Sequence, residues 1–495
     1  MVLPTAPKNL KVKKNLTCFF YSILTLLLLI KLSFYQLYGA KINASALYVF
    51  FETNMSETVD FITDFMNIDI LILCSVLLFP WVLFCRALVF SNTFDTALLK
   101  LPSFYVKNIF LKLTVVMLAF LSGYMIYSRL QNENILLESY NSFKNYKDYK
   151  SNLKNELAKP VTENLKVAKS SVDNQTYVVI IGESTSRWHM QLYGYNRATN
   201  PMLVNLKDEL YVFDNVISPH THTMPSLEKI LTLSDYQNPN IKSNASIVQL
   251  ANQAGFSTYW LSNQRPVGMY ESLPTMIGNA ATHKYFVNSE DFMYHVYDGK
   301  LLPYLDEILS DASQKKMIFI HLMGTHNNYG KRYPKAFNYF EGVSSQTKFK
   351  HRKSIKQVNM YDNAIRYNDF IVKTIIDKVK AKQTESYVVY FSDHGDELYD
   401  TVNLLGHNEY HGTKPMYDIP FVVWLSEKYK LNHPNFIADS TTLSRQYNLE
   451  DFFHSFSDLS QIKFEKYNAS KSIFSDLYIK QQRLIKNGVD YDKMK

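Results

Sequence analysis

Three long apolar runs occupy the first quarter of the chain, and past residue 130 they give way to short apolar runs separated by amphipathic stretches. Leu16–Tyr38 contains Lys31, Ile70–Phe90 contains Pro80 and Arg86, and Ile109–Tyr127 contains Lys112. Each is about as long as a helix that crosses a hydrocarbon core. A buried core helix or a cleaved signal peptide would account for one such run. Three in succession, with no small-residue cleavage pattern after the first, predict three membrane spans. Lysines 8, 11, 13 and 14 precede the first run, while Arg86 near the end of the second run and Lys100 and Lys107 after it mark the side between the second and third. The segment 39–69 is acidic, with Glu52, Glu57, Asp60 and Asp64. The positive-inside rule then places the N-terminus in the cytoplasm, 39–69 outside, and everything past Arg129 outside. In a cell with an outer membrane, outside is the periplasm.

Residues 130–176 are polar, with helical spacing only over Ile135–Leu157, and read as a connector. From Tyr177 the pattern changes. Tyr177–Gly182, Tyr211–Ile217, Ser257–Leu261, Met317–Leu322, Ser386–Phe391 and Pro420–Leu425 are continuous apolar runs, as expected of strands buried on both faces. Ser246–Gln253, Leu301–Asp311 and Val358–Val379 carry apolar residues at helical spacing. The alternation predicts a parallel-rich α/β sheet flanked by helices over 177–495, behind an α-helical membrane region over 1–129.

Composition narrows the function. The 495 residues carry 53 Lys+Arg against 45 Asp+Glu, with aromatics at 15%. Such a chain folds, and the surplus of +8 forms no stripe that would track nucleic acid. Cys18, Cys74 and Cys85 all lie in the apolar N-terminal runs, so the domain beyond has no thiol chemistry.

Open α/β sheets bind ligands at the carboxyl ends of their strands. There the chain reads Glu183-Ser184-Thr185 after the first strand, Thr325-His326 after Met317–Leu322, and Asp393-His394-Gly395-Asp396 after Ser386–Phe391. A single Glu or His at such a place is most often a satisfied polar group. Glu, Asp and His together supply the mixed oxygen and nitrogen donors that bind Zn²⁺ or Mn²⁺, leaving one position open. A fourth donor is offered by Ser218-Pro219-His220-Thr221-His222-Thr223-Met224-Pro225, where a strand ends and an apolar helix begins. Thr223 at the first turn could be a simple cap. Beside a divalent cation its hydroxyl would instead ionise near neutral pH and become a nucleophile. Thr221 and Thr185 are the alternative hydroxyls. The Asp396-Glu397 pair reads as a solvated, acid-rich helix start, with a second metal shell as the alternative, and Lys480–Lys495 as a solvated helix against the membrane or disorder.

The segments GEST (Gly182–Thr185), YGYNRATNP (Tyr193–Pro201), THTMPSL, NQ at Asn263-Gln264, MGTH (Met323–His326), YDNAIRYND (Tyr361–Asp369), YFSDHGDELYD (Tyr390–Asp400), EYHG (Glu409–Gly412) and IPFVVW resemble, in order, the lipopolysaccharide phosphoethanolamine transferases. These are inner-membrane enzymes of the alkaline phosphatase/sulfatase superfamily. FFETNMSE (Phe50–Glu57) resembles the family's extracytoplasmic loop. The resemblance implies zinc held by Glu183, Thr223, Asp393 and His394, with Mn²⁺ less favoured and room for a second, weaker site. It implies Thr223 as nucleophile, and His326 and His411 as catalytic, substrate-side or second-metal histidines, with His407 the alternative to His411. Asn263, Thr53, Asn54 and Glu57 are implied at the substrate, although Asn54 and Glu57 also fit a helix capping box. The implied donor is phosphatidylethanolamine, and the acceptor is lipid A or a core sugar. The resemblance implies a reaction that passes through a phospho-threonine on a multi-pass, inner-membrane monomer with a periplasmic catalytic domain.

Many relatives have five spans and a domain laced with disulfides, whereas this pattern predicts three spans and no cysteine beyond Cys85. A phosphoglycerol transferase is the alternative reading, since it shares the threonine and the metal site. A sulfatase needs a C/S-x-P-x-R nucleophile context, which is missing, and a non-enzymatic membrane sensor would have lost a metal ligand.

Overall fold

In the computed structural model the chain divides into two compact units, Met1–Lys147 and Asp148–Lys495. The structure describes residues 10–38, 68–90, 135–162, 165–168, 174–238, 245–264, 273–288, 296–434, 436, 440–486 and 488–494, with isolated positions between 41 and 66 and between 117 and 125.

In the first unit, α1 (Leu10–Tyr38) and α2 (Ile68–Phe90) are long and apolar enough to cross a membrane. They run antiparallel, because Cys18 lies against Cys85 (Sγ–Sγ 2.9 Å) while Trp81 Nε1 donates to Ser22 Oγ at 3.0 Å. Leu24, Phe79 and Val76 point outward, each more than 60% exposed, as side chains do when hydrocarbon rather than protein surrounds them. The expected third span at 109–127, apart from isolated positions, lies outside the described residues, as do Thr53, Asn54 and Glu57.

α3 (Ile135–Leu157) crosses the boundary between the units. The connector expected over 130–176 is partly core. Leu157 and Leu165 are buried, and Gln249 Nε2 donates to Glu156 O (2.8 Å) and Lys159 O (2.9 Å). Its polar composition hid two anchoring leucines.

The second unit is built on a seven-stranded sheet of β1 (Gln175–Gly182), β2 (Leu210–Phe213), β3 (Ser257–Ser262), β4 (His283–Phe286), β5 (Lys315–His321), β6 (Glu385–Ser392) and β7 (Phe421–Leu425). Their spatial order is β2-β7-β6-β1-β5-β3-β4, and β7 alone runs against its neighbours. β1 sits centrally, parallel to both β5 and β6. All eight of its residues are buried, which is why it reads as an unbroken apolar run. Tyr177, Val179 and Ile181 join one apolar layer, with α4 (Thr223–Leu231), α5 (Ile247–Gln253) and α8 (Phe452–Leu459). Val178 and Ile180 face the other, with α6 (Leu301–Ser310) and α7 (Arg352–Lys380). The result is a three-layer sandwich with the carboxyl ends of β1, β5 and β6 side by side.

Three details depart from the sequence pattern. The run Tyr211–Ile217 breaks at Asp214-Asn215, and Val216–Ile217 leaves the sheet to pair with Tyr447–Asn448. β4 (HKYF) has no apolar run because it is a half-exposed edge strand. The C-terminal tail is neither a solvated helix nor disorder: Leu484–Ile485 and Val489–Asp490 form a hairpin, with Ile485, Arg483 and Tyr491 buried against the domain.

Candidate active site

Three sharp turns at the strand ends place the donors. After β1, Glu183 precedes Ser184, which adopts φ 56°, a left-handed backbone that costs a non-glycine residue about 1 kcal/mol or more. Tyr361 of α7 holds that turn, donating its hydroxyl to Ser184 O (2.7 Å) and accepting from Ser186 N (2.8 Å). After β5, Asp298 accepts Met323 N (2.8 Å) and Gly324 N (2.9 Å), fixing the 323–326 turn against β1. Gly324 has φ +51°, and a Cβ there would sit 2.9 Å from both the backbone N and O of Glu183. Gly324→Ala is therefore expected to destabilise the domain by about 2 kcal/mol or more and to displace Glu183, read as a lowered Tm together with reduced turnover per folded molecule. After β6, Asp393 Oδ1 accepts His394 N (2.7 Å) and Ser184 N (3.0 Å), joining the β1 and β6 turns.

Thr223 opens α4 and aims at this corner. Its Oγ1 donates toward Glu183, 3.2 Å from each carboxylate oxygen, and lies 3.4 Å from His394 Nε2. His394 Nδ1 lies 3.0 Å from Gly395 O, and a carbonyl only accepts, so Nδ1 carries the hydrogen. Nε2, on the other side of the ring, faces Glu183 Oε1 (3.4 Å) and Asp393 Oδ2 (3.5 Å). Asp393 Oδ2 is buried without a hydrogen-bond partner. Such an oxygen is costly unless a cation meets it. Burial and the neighbouring Glu183 push the Asp393 carboxyl up to about 7. Burial opposes charge on His394, but Asp393 and Glu183 outweigh it and raise the imidazole to about 10. The corner thus sets two buried carboxyl groups against one imidazole. Ligand atoms of Glu183, Asp393 and His394 lie within 4.8 Å of one another, a donor set that fits a divalent ion, with Thr223 Oγ1 alongside.

The other candidate hydroxyls are placed differently. Thr221 Oγ1 is buried with no partner, and Thr185 Oγ1 bonds to Thr325 and to Glu183 O.

A second donor set, His394, Asp396 and His407, adjoins the first. Asp396 is buried, contrary to the solvated helix start expected from its acidic context, because Tyr329 Oη (2.6 Å) and His407 Nδ1 (2.7 Å) satisfy it. Burial raises it to about 6. The His407 ring lies 4.3 Å from that of His394 and 4.9 Å from that of His222. Burial, then His394, holds His407 well below the usual imidazole range, while burial and His407 bring His222 to about 3. His326 falls to about 4 through burial and the adjacent Arg332. Beside His394 the site thus carries three imidazoles, His222, His326 and His407, that stay neutral near pH 7.

His411 differs from the expectation. It is exposed in the turn after Tyr410, and the histidine carried to Asp396 and His394 is His407. The spacing left both open; the strand pair Glu397–Leu398 with Leu405–Gly406 decides between them by folding 407 back onto Asp396. Asn263, expected at substrate, is fully buried, with Nδ2 donating to Asp298 Oδ1 (2.8 Å) and Val296 O (2.9 Å). It steadies Asp298, and through it the 323–326 turn. His189 is a structural bridge between Asp362 and Asp400.

Residues 175–462 match the family model described as Sulfatase, and the three-layer fold with its strand-end Glu/Asp/His corner defines that class. The chain is 30% identical over 512 residues to phosphoethanolamine transferase EptC of Escherichia coli (strain K12), covering 94% of this chain and 84% of that protein. It belongs to the lipopolysaccharide phosphoethanolamine transferase family. The C-terminal periplasmic domain of EptC from Escherichia coli, solved in complex with Zn, superposes at TM-score 0.63 and 33% identity, over 68% of this chain and 97% of that one. The integral membrane protein lipooligosaccharide phosphoethanolamine transferase A of Neisseria meningitidis shares the fold at TM-score 0.64 and 20% identity, over 94% of this chain and 90% of that one.

Proposed function

We propose that this chain transfers phosphoethanolamine from phosphatidylethanolamine to lipid A or a core sugar, carried in between on Thr223. The observation that carries the reading is Thr223 Oγ1 at the start of α4, 3.2 Å from both oxygens of Glu183 and beside His394, in a relative of phosphoethanolamine transferases.

Glu183, Thr223, Asp393 and His394 would hold Zn²⁺, the ion found with the EptC domain, and His394, Asp396 and His407 a second, weaker one. Bound there, the ion supplies a Lewis acid that lowers the hydroxyl's pKa and offsets the anionic corner. The chain's own groups do the rest. The Thr223 hydroxyl proton leaves along its contact to Glu183 as Oγ1 bonds to phosphorus and the phosphorus–oxygen bond to diacylglycerol breaks. Arg332, which only donates, lies 3.5 Å from His326 Nδ1, so Nε2 carries the hydrogen and offers it to a phosphoryl oxygen. Asp396 accepts from His407 Nδ1, leaving Nε2 bare to take the acceptor's proton when that group displaces Thr223. α1 and α2 anchor the enzyme in the inner membrane where its donor lipid resides, with the catalytic domain in the periplasm.

The test is mass spectrometry of the purified full-length protein after mixing with phosphatidylethanolamine, then with lipooligosaccharide. Phosphoethanolamine on the Thr223 peptide, chased onto the acceptor, is expected. A modified Thr221 instead, or labelling only from phosphatidylglycerol, would overturn the reading. The histidine assignment has its own contrast. His407→Ala should lower turnover by about a hundredfold or more, and His411→Ala should stay within about twofold, measured at saturating donor.

A further inference from the structure

Although the surplus of +8 makes no stripe that would track nucleic acid, it is unevenly placed: between residues 331 and 356 eight lysines and arginines stand against a single acid, Glu341. A run of charge on a surface is ordinarily just solvated. Two features set this one apart.

First, it is a strap pinned at both ends to the active site. At its start Arg332 Nε donates to His326 O (3.0 Å), and Tyr329 donates to Asp396. Near its end Lys348 donates from its backbone N to Tyr399 O and from Nζ to Thr401 O, each at 3.2 Å, three and five residues beyond Asp396.

Second, the strap presents a rigid exposed aromatic. Tyr339 is 64% exposed, yet Asn363 Oδ1 accepts its backbone N–H (2.8 Å) and that of Phe340 (2.7 Å). The Arg366 guanidinium lies 4.2 Å from its ring centroid. Val343, 53% exposed, extends the apolar spot. Lys335, Lys348 and Lys350 are exposed on the same strap. Holding an aromatic face still while leaving it in water is unfavourable unless something covers it, and immobilisation in advance lowers the entropy cost of binding. A flat apolar ring packs on the face of a sugar, and ammonium groups meet phosphates.

We infer that the 331–356 strap is the docking surface for a phosphorylated saccharide, the polar part of the acceptor, delivered beside His326 and His407. This rests on the transferase reading above, and the binding arm of the test is independent of it.

The experiment uses full-length protein in detergent with a deacylated, bisphosphorylated lipid A saccharide as probe. Binding is measured by calorimetry for wild type, Lys335→Glu/Lys350→Glu and Tyr339→Ala, each verified as folded by its melting curve. The charge-reversed variant should bind at least about tenfold more weakly, the tyrosine variant about fivefold, and wild-type binding should weaken with salt. Formation of phosphoethanolamine-Thr223 from the donor should be unchanged in both. Unchanged affinity, or an equal loss for the dephosphorylated saccharide, would overturn the inference. So would reduced binding to phosphatidylglycerol vesicles with saccharide affinity intact, which would make the strap a membrane contact. Wild type that binds the saccharide but never labels Thr223 would instead sink the transferase reading while leaving the surface standing.

Discussion

Thr223→Ala is expected to reduce phosphoethanolamine transfer at least about a thousandfold while leaving the domain folded. The hydroxyl lost is the one aimed between Glu183 and His394, so the proposed intermediate loses its point of attachment. The fold has little stake in it. Thr223 is the first residue of α4 rather than its cap, and the capping position, His222, makes no side-chain cap bond. Glu183 Oε1 also keeps its bond from Ser184 Oγ at 2.8 Å. The stability change should be about 1 kcal/mol, readable from thermal melts. Thr221→Ala is the control. Its hydroxyl is buried and unpartnered, so activity should hold within about twofold. If Thr221→Ala were inactive and Thr223→Ala active, the nucleophile would have been misplaced.

The second large effect is metal removal. Stripping divalent ions with a chelator should take transfer to background and lower the melting temperature by several degrees, with Zn²⁺ restoring both. Binding that involves only the folded state stabilises it by about 4 kcal/mol when the metal stands about a thousandfold above Kd. The corner that loses the ion retains two buried carboxylates, Glu183 and Asp393, one oxygen of the latter having no partner. In Glu183→Gln one of those charges is gone and the donor set is incomplete, so the chelator should no longer move the melting curve. A wild-type melt and activity indifferent to chelation would remove the metal from this site.

Much of this architecture was legible along the chain because burial on both faces writes a strand as an unbroken apolar run. β1, β3, β5, β6 and β7 are such strands; Glu183 and Asp393-His394 follow directly on two of them, and His326 lies in the turn after a third. The apolar runs of α1 and α2 were equally plain, because a helix long and apolar enough to cross a membrane has no polar face to blur its signal. Edge strand β4 was not, since half its side chains meet water and nothing selects for apolarity there. Nor was the packing of the segment 156–160 onto α5, made through backbone carbonyls that any residue supplies.

Within the site the division is the same. Residue types and strand ends determined that a carboxylate, a second carboxylate, an imidazole and a hydroxyl would converge, because neighbouring parallel strands bring their carboxyl ends together. Which histidine joins them was settled only in three dimensions. His407 and His411 are four residues apart on one loop, and the short pairing of 397–398 with 405–406 turns the first onto Asp396 and leaves the second in water. The same holds for Asn263, whose Nδ2 donates to Asp298 inside the domain, and for Asp396, whose acidic neighbourhood suggested solvent until Tyr329 and His407 enclosed it. Local pattern records how much of a side chain is buried, whereas its partner is chosen by segments distant in sequence, and only the folded chain brings those together.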